Sequence, residues 1–167
     1  LSQLEGDKEL FRLAAVLQFT TSGLPMIYYG EEVARPGGDW PDNRSDMPWG
    51  DRGIRPGAGE PRDESLRADY RKLISIRKAH PALSRGVHTA ISTNGDLLVF
   101  SQRHEDDEVI VAVNRGSEPA ELSLTAPSPR DVRAVTDGWN DEALSVTDGT
   151  ITAVVKPKGA RIITWRE

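Results

Sequence analysis

The chain contains no cysteine, which excludes disulfides and thiolate metal sites. That absence suits a reducing compartment, so it leans toward a cytoplasmic location and says nothing more about localisation. No apolar run approaches the ~20 residues that span a bilayer, and no charged-then-apolar leader opens the sequence, so no membrane partner is expected. The 21 Lys and Arg are scattered among 26 Asp and Glu, and the net charge of -5 comes with no dense basic run. Phosphate neutralisation needs clustered cations, so no nucleic-acid partner is expected either. Internal repeats and low-complexity tracts are missing too. The sequence opens on Leu1 rather than Met, which reads as a cut or processed start.

What remains is ordinary for a soluble globular protein: 37% hydrophobic and 28% charged residues in 167, enough for one domain or two small ones. Asp7 precedes Leu10, Phe11, Leu13, Ala14, Val16, Leu17 and Phe19, a wide apolar stripe at helical spacing with Asp7 as N-cap. The run from Thr20 to Gly23 stops that helix. Leu24-Pro25-Met26-Ile27-Tyr28-Tyr29-Gly30 follows, a nearly continuous apolar run that predicts a short strand buried on both faces, with Pro25 at its start. From Glu31 to about Asp63 the chain is rich in Gly, Pro, Asp and Arg without periodicity, and it carries Trp40, Met47 and Trp49; an ordered, elaborated loop is expected. A second helix is predicted from about Glu64 to Ala79, basic at its end and closed by Pro81.

From Gly86 onward the period changes to two. Short strands are predicted around Leu97–Phe100, Val109–Val113, Leu122–Leu124, Ile151–Val154 and Arg161–Trp165, with Asn94-Gly95 as a hairpin turn. This pattern predicts an antiparallel sandwich. The pattern break falls near Pro81 to Arg85, between a helix–strand–helix part and an all-β part. A lone buried parallel strand has no partner in this sequence, and helix–strand–long-loop–helix is the order of the last stretch of a (β/α) barrel. The first part is therefore expected to be less stable than the sandwich or to pair with another copy.

The stretch Gly23-Leu24-Pro25-Met26-Ile27-Tyr28-Tyr29-Gly30-Glu31-Glu32 closely resembles the eighth barrel strand of α-amylase-family enzymes. Asp42-Asn43-Arg44-Ser45-Asp46-Met47-Pro48-Trp49 resembles the loop after that strand, and Tyr70 to Leu83 resembles the last barrel helix. The β-rich tail, including Val111-Ala112-Val113-Asn114-Arg115, is similar in position and style to that family's C-terminal sandwich. Gly30-Glu31-Glu32 and the loop Gly37 to Arg44 are most similar to the neopullulanase, cyclomaltodextrinase and maltodextrin glucosidase types.

The resemblance implies an α+β chain: residues 1–83 as the C-terminal segment of a TIM-type catalytic barrel, and residues 84–167 as a β-sandwich domain. It implies a retaining glycoside hydrolase acting on α-glucosidic bonds of maltodextrins, cyclodextrins or starch-like glucans. The family's catalytic carboxylates sit after strands four, five and seven, which this resemblance places before Leu1. The chain is thus expected to carry no catalytic residue and to be inactive alone. The family's sugar-holding arginine maps onto Arg44; the accompanying aspartate is Asp39 or Asp42, because Trp40 stands immediately before the loop's Pro41. Trp40 is a candidate for stacking on a sugar ring, and Trp49 is assigned to the core.

Glu31 and Glu32, as strand neighbours, would point to opposite faces, one anchoring a loop behind the sugar-contacting residues and the other solvated. Arg44 has a structural alternative, a salt bridge to Asp42 or Asp46. Asp39, Asp42, Asp46 and Asp51 lack the spacing of a calcium loop, and no metal ligand or cofactor is assigned here, although the resemblance allows Ca2+ in the parent enzyme. His80, His88 and His104 read as surface or capping residues, and residues 103–108 as a solvated hairpin tip. In the sandwich, Trp139 and Trp165 are the only aromatic candidates for sugar contact. The expected ligand is an α-glucan oligosaccharide, with a homo-oligomer left open. Two other readings stand beside this one: a stand-alone carbohydrate-binding or structural module, and the end of a transglycosylase or isomerase of the same family.

Overall fold

The computed structural model describes residues 4–48, 62–125 and 134–166. Helix α1 (Lys8–Thr20) starts where Asp7 accepts from the amides of Glu9 and Leu10, and helix α2 (Glu64–Ala79) starts where Asp63 accepts from Leu66 N. The short helix α3 (Ala82–Arg85) follows Pro81 and leads into the first strand. Nine strands are described: β1 (Val87–Asn94), β2 (Leu97–His104), β3 (Asp107–Asn114), β4 (Ala120–Thr125), β5 (Ala134–Asp137), β6 (Glu142–Leu144), β7 (Val146–Thr147), β8 (Thr150–Val155) and β9 (Gly159–Arg166). They form a six-stranded sheet in the order β1-β2-β3-β9-β5-β6 and a three-stranded sheet β4-β8-β7. Every pairing is antiparallel, as the period-two pattern requires. The β1–β2 hairpin turns at Gly95, whose φ of 58° favours glycine.

The register of the central strands explains the layering. Val111 pairs with Ile162 and Val113 with Ala160, and these residues face α1, α2 and α3. The alternate residues Ile110 and Ile163, also partners, face the three-stranded sheet with Leu122, Leu124, Ile151 and Val155. Helices, large sheet and small sheet therefore stack as three layers. Strand β3 is buried on both faces from Val109 to Asn114. A buried pair ties the large sheet together at β5 and β9, where Asp137 accepts from Arg161 Nη1 at 2.9 Å.

The pattern break at residues 83–84 is not a break in packing. Ala82 and Leu83 are fully buried in one cluster with Val16 and Leu73 on one side and Phe100, Val111 and Ile162 on the other. The buried Gln102 side chain of β2 donates to Thr20 O at the end of α1, at 3.2 Å. His80 Nδ1 and Asp107 Oδ1 lie 2.9 Å apart, and Asp107 Oδ2 accepts from Ala82 N. His80 and the 103–108 turn are thus joined rather than separately solvated. The helices α1 and α2 thus share the sheet's core rather than packing apart from it.

The apolar run differs from its expectation: Leu24 to Tyr28 takes no regular secondary structure, Tyr29 begins a turn, and the run pairs with no strand among the described residues. Leu24 is 97% exposed and Met26 74% exposed, where a strand buried on both faces was predicted. The physical reason is the absence of a neighbouring ladder: every described strand lies in the two antiparallel sheets. No helix among the described residues is long and apolar enough to cross a membrane.

Candidate functional site

The loop that carries the candidate sugar-holding residues is built on the end of the apolar run. Gly30 turns the chain with a φ of 87°, and a Cβ there would come within 2.8 Å of Arg35 Cβ, so glycine is required twice over. A 3₁₀ turn at Glu31–Val33 follows. Glu31 Oε2 accepts from Tyr28 N at 3.1 Å and Glu32 Oε2 accepts from Gly30 N at 2.9 Å. Both glutamates therefore anchor backbone at the end of the run. The expectation that strand geometry would leave one of them solvated is corrected by this turn, which directs both carboxylates back onto preceding amides. Their charges, after burial itself, hold the neighbouring Tyr70 hydroxyl far above its ordinary pKa.

A second 3₁₀ turn, Asp42–Arg44, carries the candidates. Its framework is backbone: Asn43 N donates to Asp39 O at 3.0 Å, Arg44 N to Pro41 O at 2.9 Å, and Ser45 N to Asp42 O at 3.1 Å. Asp39, Trp40, Asp42 and Arg44 are all exposed, Trp40 at 77%. Four residues singled out in the sequence thus share one short surface stretch. Arg44 Nη1 donates to the Tyr28 hydroxyl at 3.2 Å. Among the described residues no carboxylate lies within ion-pair distance of Arg44, so a salt bridge to Asp42 or Asp46 does not account for it. A forked cation, an exposed indole and carboxylates are the kinds of group that hold the hydroxyls and ring face of a neutral sugar.

No described group of three or more His, Asp or Glu is placed to hold a metal ion, and Asp39, Asp42 and Asp46 do not gather into one. Asp51 and Trp49 lie outside the described residues. Trp165 packs against the inner cluster between the sheets, and Trp139 is partly buried with Lys72 Nζ 6.0 Å from its ring centroid. Both are partly buried, and Trp139 lines a cavity of about 530 Å³ with Arg12, Asp141 and Lys158.

Arg35 escaped the sequence reading. It is only 8% exposed, and its guanidinium reaches into the Asp42–Ser45 turn from across the loop. The available signal was a single cation immediately after the apolar pair Val33-Ala34, too weak to assign. The tyrosine hydroxyls were missed as well: Tyr29 donates to Ser45 O at 2.8 Å, tying the run to the loop.

No family model matches the chain. The amylopullulanase of Thermoanaerobacter thermohydrosulfuricus is 32% identical over 155 residues, covering 86% of this chain and 10% of that enzyme. A cyclomaltodextrinase from Bacillus sp is 34% identical over 116 residues, covering 68% of this chain and 19% of that enzyme. Among solved structures, the α-amylase from Geobacillus thermoleovorans complexed with acarbose superposes with a TM-score of 0.77 at 25% identity, over 94% of this chain and 33% of that one. The chain is similar to α-amylase-family glycoside hydrolases over most of its own length, as Gly23 to Glu32 suggested, and in an extent consistent with a C-terminal portion of them. It spans a tenth to a fifth of the length of these two curated relatives.

Proposed function

We propose that this chain is the C-terminal part of a retaining glycoside hydrolase that cleaves α-glucosidic bonds in maltodextrins, cyclodextrins or related glucans. In this reading residues 1–83 end the catalytic barrel and residues 84–167 form the domain that follows it. The catalytic nucleophile and acid/base belong to the preceding part of the enzyme, and this chain alone is inactive. Leu24 to Tyr29 is the barrel's last strand. The exposure of Leu24 and Met26 carries the reading: among the described residues no strand pairs with the run, and its backbone is met only locally, by Gln18 Nε2 at Met26 O and by Glu31 at Tyr28 N.

Its end delivers the turn at Asp42–Arg44 to the mouth of the barrel, where loops following strands hold substrate. Arg44 hydrogen-bonds sugar hydroxyls, Asp39 or Asp42 accepts from them, and Trp40 offers a ring face. Glu31 and Glu32 hold the end of the apolar run, at Tyr28 N and Gly30 N, rather than the sugar. The proposed chemistry requires no cofactor, and it is compatible with a calcium ion in the parent enzyme.

The longer protein that ends in this chain is expected to release reducing ends from maltoheptaose and from a cyclodextrin, while the 167-residue chain releases none. A longer protein that binds these glucans yet cleaves neither would sink the hydrolase reading. Similarity to a cyclomaltodextrin glucanotransferase, 28% identical over 150 residues, keeps a second outcome specific: transfer products in place of hydrolysis would assign a transglycosylase.

A further inference from the structure

We infer that Arg35 is a positioning residue for the sugar-facing turn, acting through Arg44; the inference rests on the proposed role of that turn. The turn ends with carbonyls that its own 3₁₀ bonds leave free, as any helical end does. Arg35 fills that need from across the loop. Its Nη1 donates to Ser45 O at 2.9 Å and to Ser45 Oγ at 2.7 Å, with Asp42 O at 3.4 Å, and its Nη2 donates to Asn43 O at 3.1 Å. Asn43 O and Ser45 O belong to the residues on either side of Arg44, while Asp42 O also accepts from Ser45 N within the turn. One planar fork of fixed geometry serves them all, which a lysine's single point of donation does not.

The same guanidinium lies 4.3 Å from the centroid of the Tyr29 ring and 5.8 Å from that of Tyr28. Tyr28 in turn receives Arg44 through its hydroxyl. Arg35 is thus the shared contact of two pieces that must keep register for Arg44 to be presented: the apolar run and the turn. Burial makes the arrangement stiff, since a guanidinium removed from water is held by its fixed acceptors. Gly30 packs directly against the Arg35 stem, where any Cβ would collide with it.

Two measurements test this. In the 167-residue chain, hydrogen exchange at the amides of Asn43, Arg44 and Ser45 is compared between the parent sequence and Arg35→Met. Exchange roughly 10-fold faster at those three amides, with Val111 and Ile162 unchanged, is expected if charged hydrogen bonds of ordinary strength hold the turn. Unchanged exchange at the turn overturns the inference.

In the longer enzyme, Arg35→Met is expected to raise the KM for maltoheptaose about 10-fold with kcat within about 2-fold, and Arg35→Lys to fall between. In an Arg44→Ala background Arg35→Met should add nothing further, the signature of one residue acting through another. If Arg44→Ala raises KM and Arg35→Met alone does not, the positioning role is wrong. If Arg44→Ala leaves KM unchanged, the sugar-holding reading of the turn fails, and with it the role of Arg35 in presenting Arg44.

Discussion

Tyr28 and Arg44 meet through a single hydrogen bond of 3.2 Å, Arg44 Nη1 donating to the tyrosine hydroxyl, and it joins the apolar run to the loop 16 residues further on. The same hydroxyl lies 3.5 Å from Asn43 O. Tyr28→Phe removes that link and little else, because the side chain is exposed. Stability of the chain is expected to change by less than about 0.5 kcal/mol, as for surface substitutions generally. In the longer enzyme the KM for maltoheptaose is expected to rise about 3-fold to 10-fold, the scale of one hydrogen bond. An unchanged KM would mean that Arg44 needs no anchor in Tyr28.

Asp137 is fully buried, and its carboxylate accepts from Arg161, from Asn140 Nδ2 and from the amides of Trp139, Asn140 and Ile162. Asp137→Ala strands the Arg161 charge beside only Glu142 and leaves three amides unserved. A loss of about 3 kcal/mol is expected, the scale for breaking a buried pair from one side. Urea unfolding followed by circular dichroism measures it, and a loss under about 1 kcal/mol would show that water reaches Arg161 freely.

Leu83 links the two halves that differ in sequence pattern. Leu83→Ala is expected to cost about 2 to 5 kcal/mol, as for a large core residue cut to a methyl. Helix and sheet signals should still unfold together in one transition, because Val16, Leu73, Phe100 and Ile162 share its cluster. Two separate transitions in the unsubstituted chain would contradict the shared core.

Acid should loosen the helix starts. The Lys8 ammonium, followed by Leu66 N and Ser65, holds the Asp63 carboxyl well below the usual carboxylate range, and Lys158 does the same for Asp7. A depressed folded-state pKa means that the contribution is complete above the unfolded value of roughly 4 and is lost as pH falls below it. Asp63→Asn keeps an oxygen acceptor for Leu66 N but removes the titration. Its stability is therefore expected to fall less steeply below about pH 4 than that of the parent chain. Parallel acid profiles would rule Asp63 out as a source of the slope.

Much of this architecture was legible because its signals are local. Asp7 ahead of apolar periodicity gave the first long helix, a basic end closed by Pro81 gave the second, and short apolar runs such as Val109 to Val113 between turn residues gave the strands. The joining of helices to sheet was not legible, because contacts such as Gln102 with Thr20 or His80 with Asp107 span long sequence separations and carry no periodic mark. Arg44, Asp42, Asp39 and Trp40, named from the resemblance, lie on one exposed stretch. Arg35 was hidden because its partners are main-chain carbonyls, which every sequence has. The strand expected at Leu24 to Tyr29 shows the opposite case. Its composition is written for burial on two faces, and the surfaces that would cover it are not among the described elements.

The most direct test of the account is hydrogen exchange at Met26 and Ile27, measured in the 167-residue chain and in the longer enzyme. In the chain alone these amides should exchange near the free-peptide rate, while Val109 to Val113 stay protected. In the longer enzyme, pairing with a neighbouring barrel strand should slow Met26 and Ile27 by at least about 100-fold. Equally fast exchange in both proteins would contradict the claim that this run is a barrel strand completed by the rest of the enzyme.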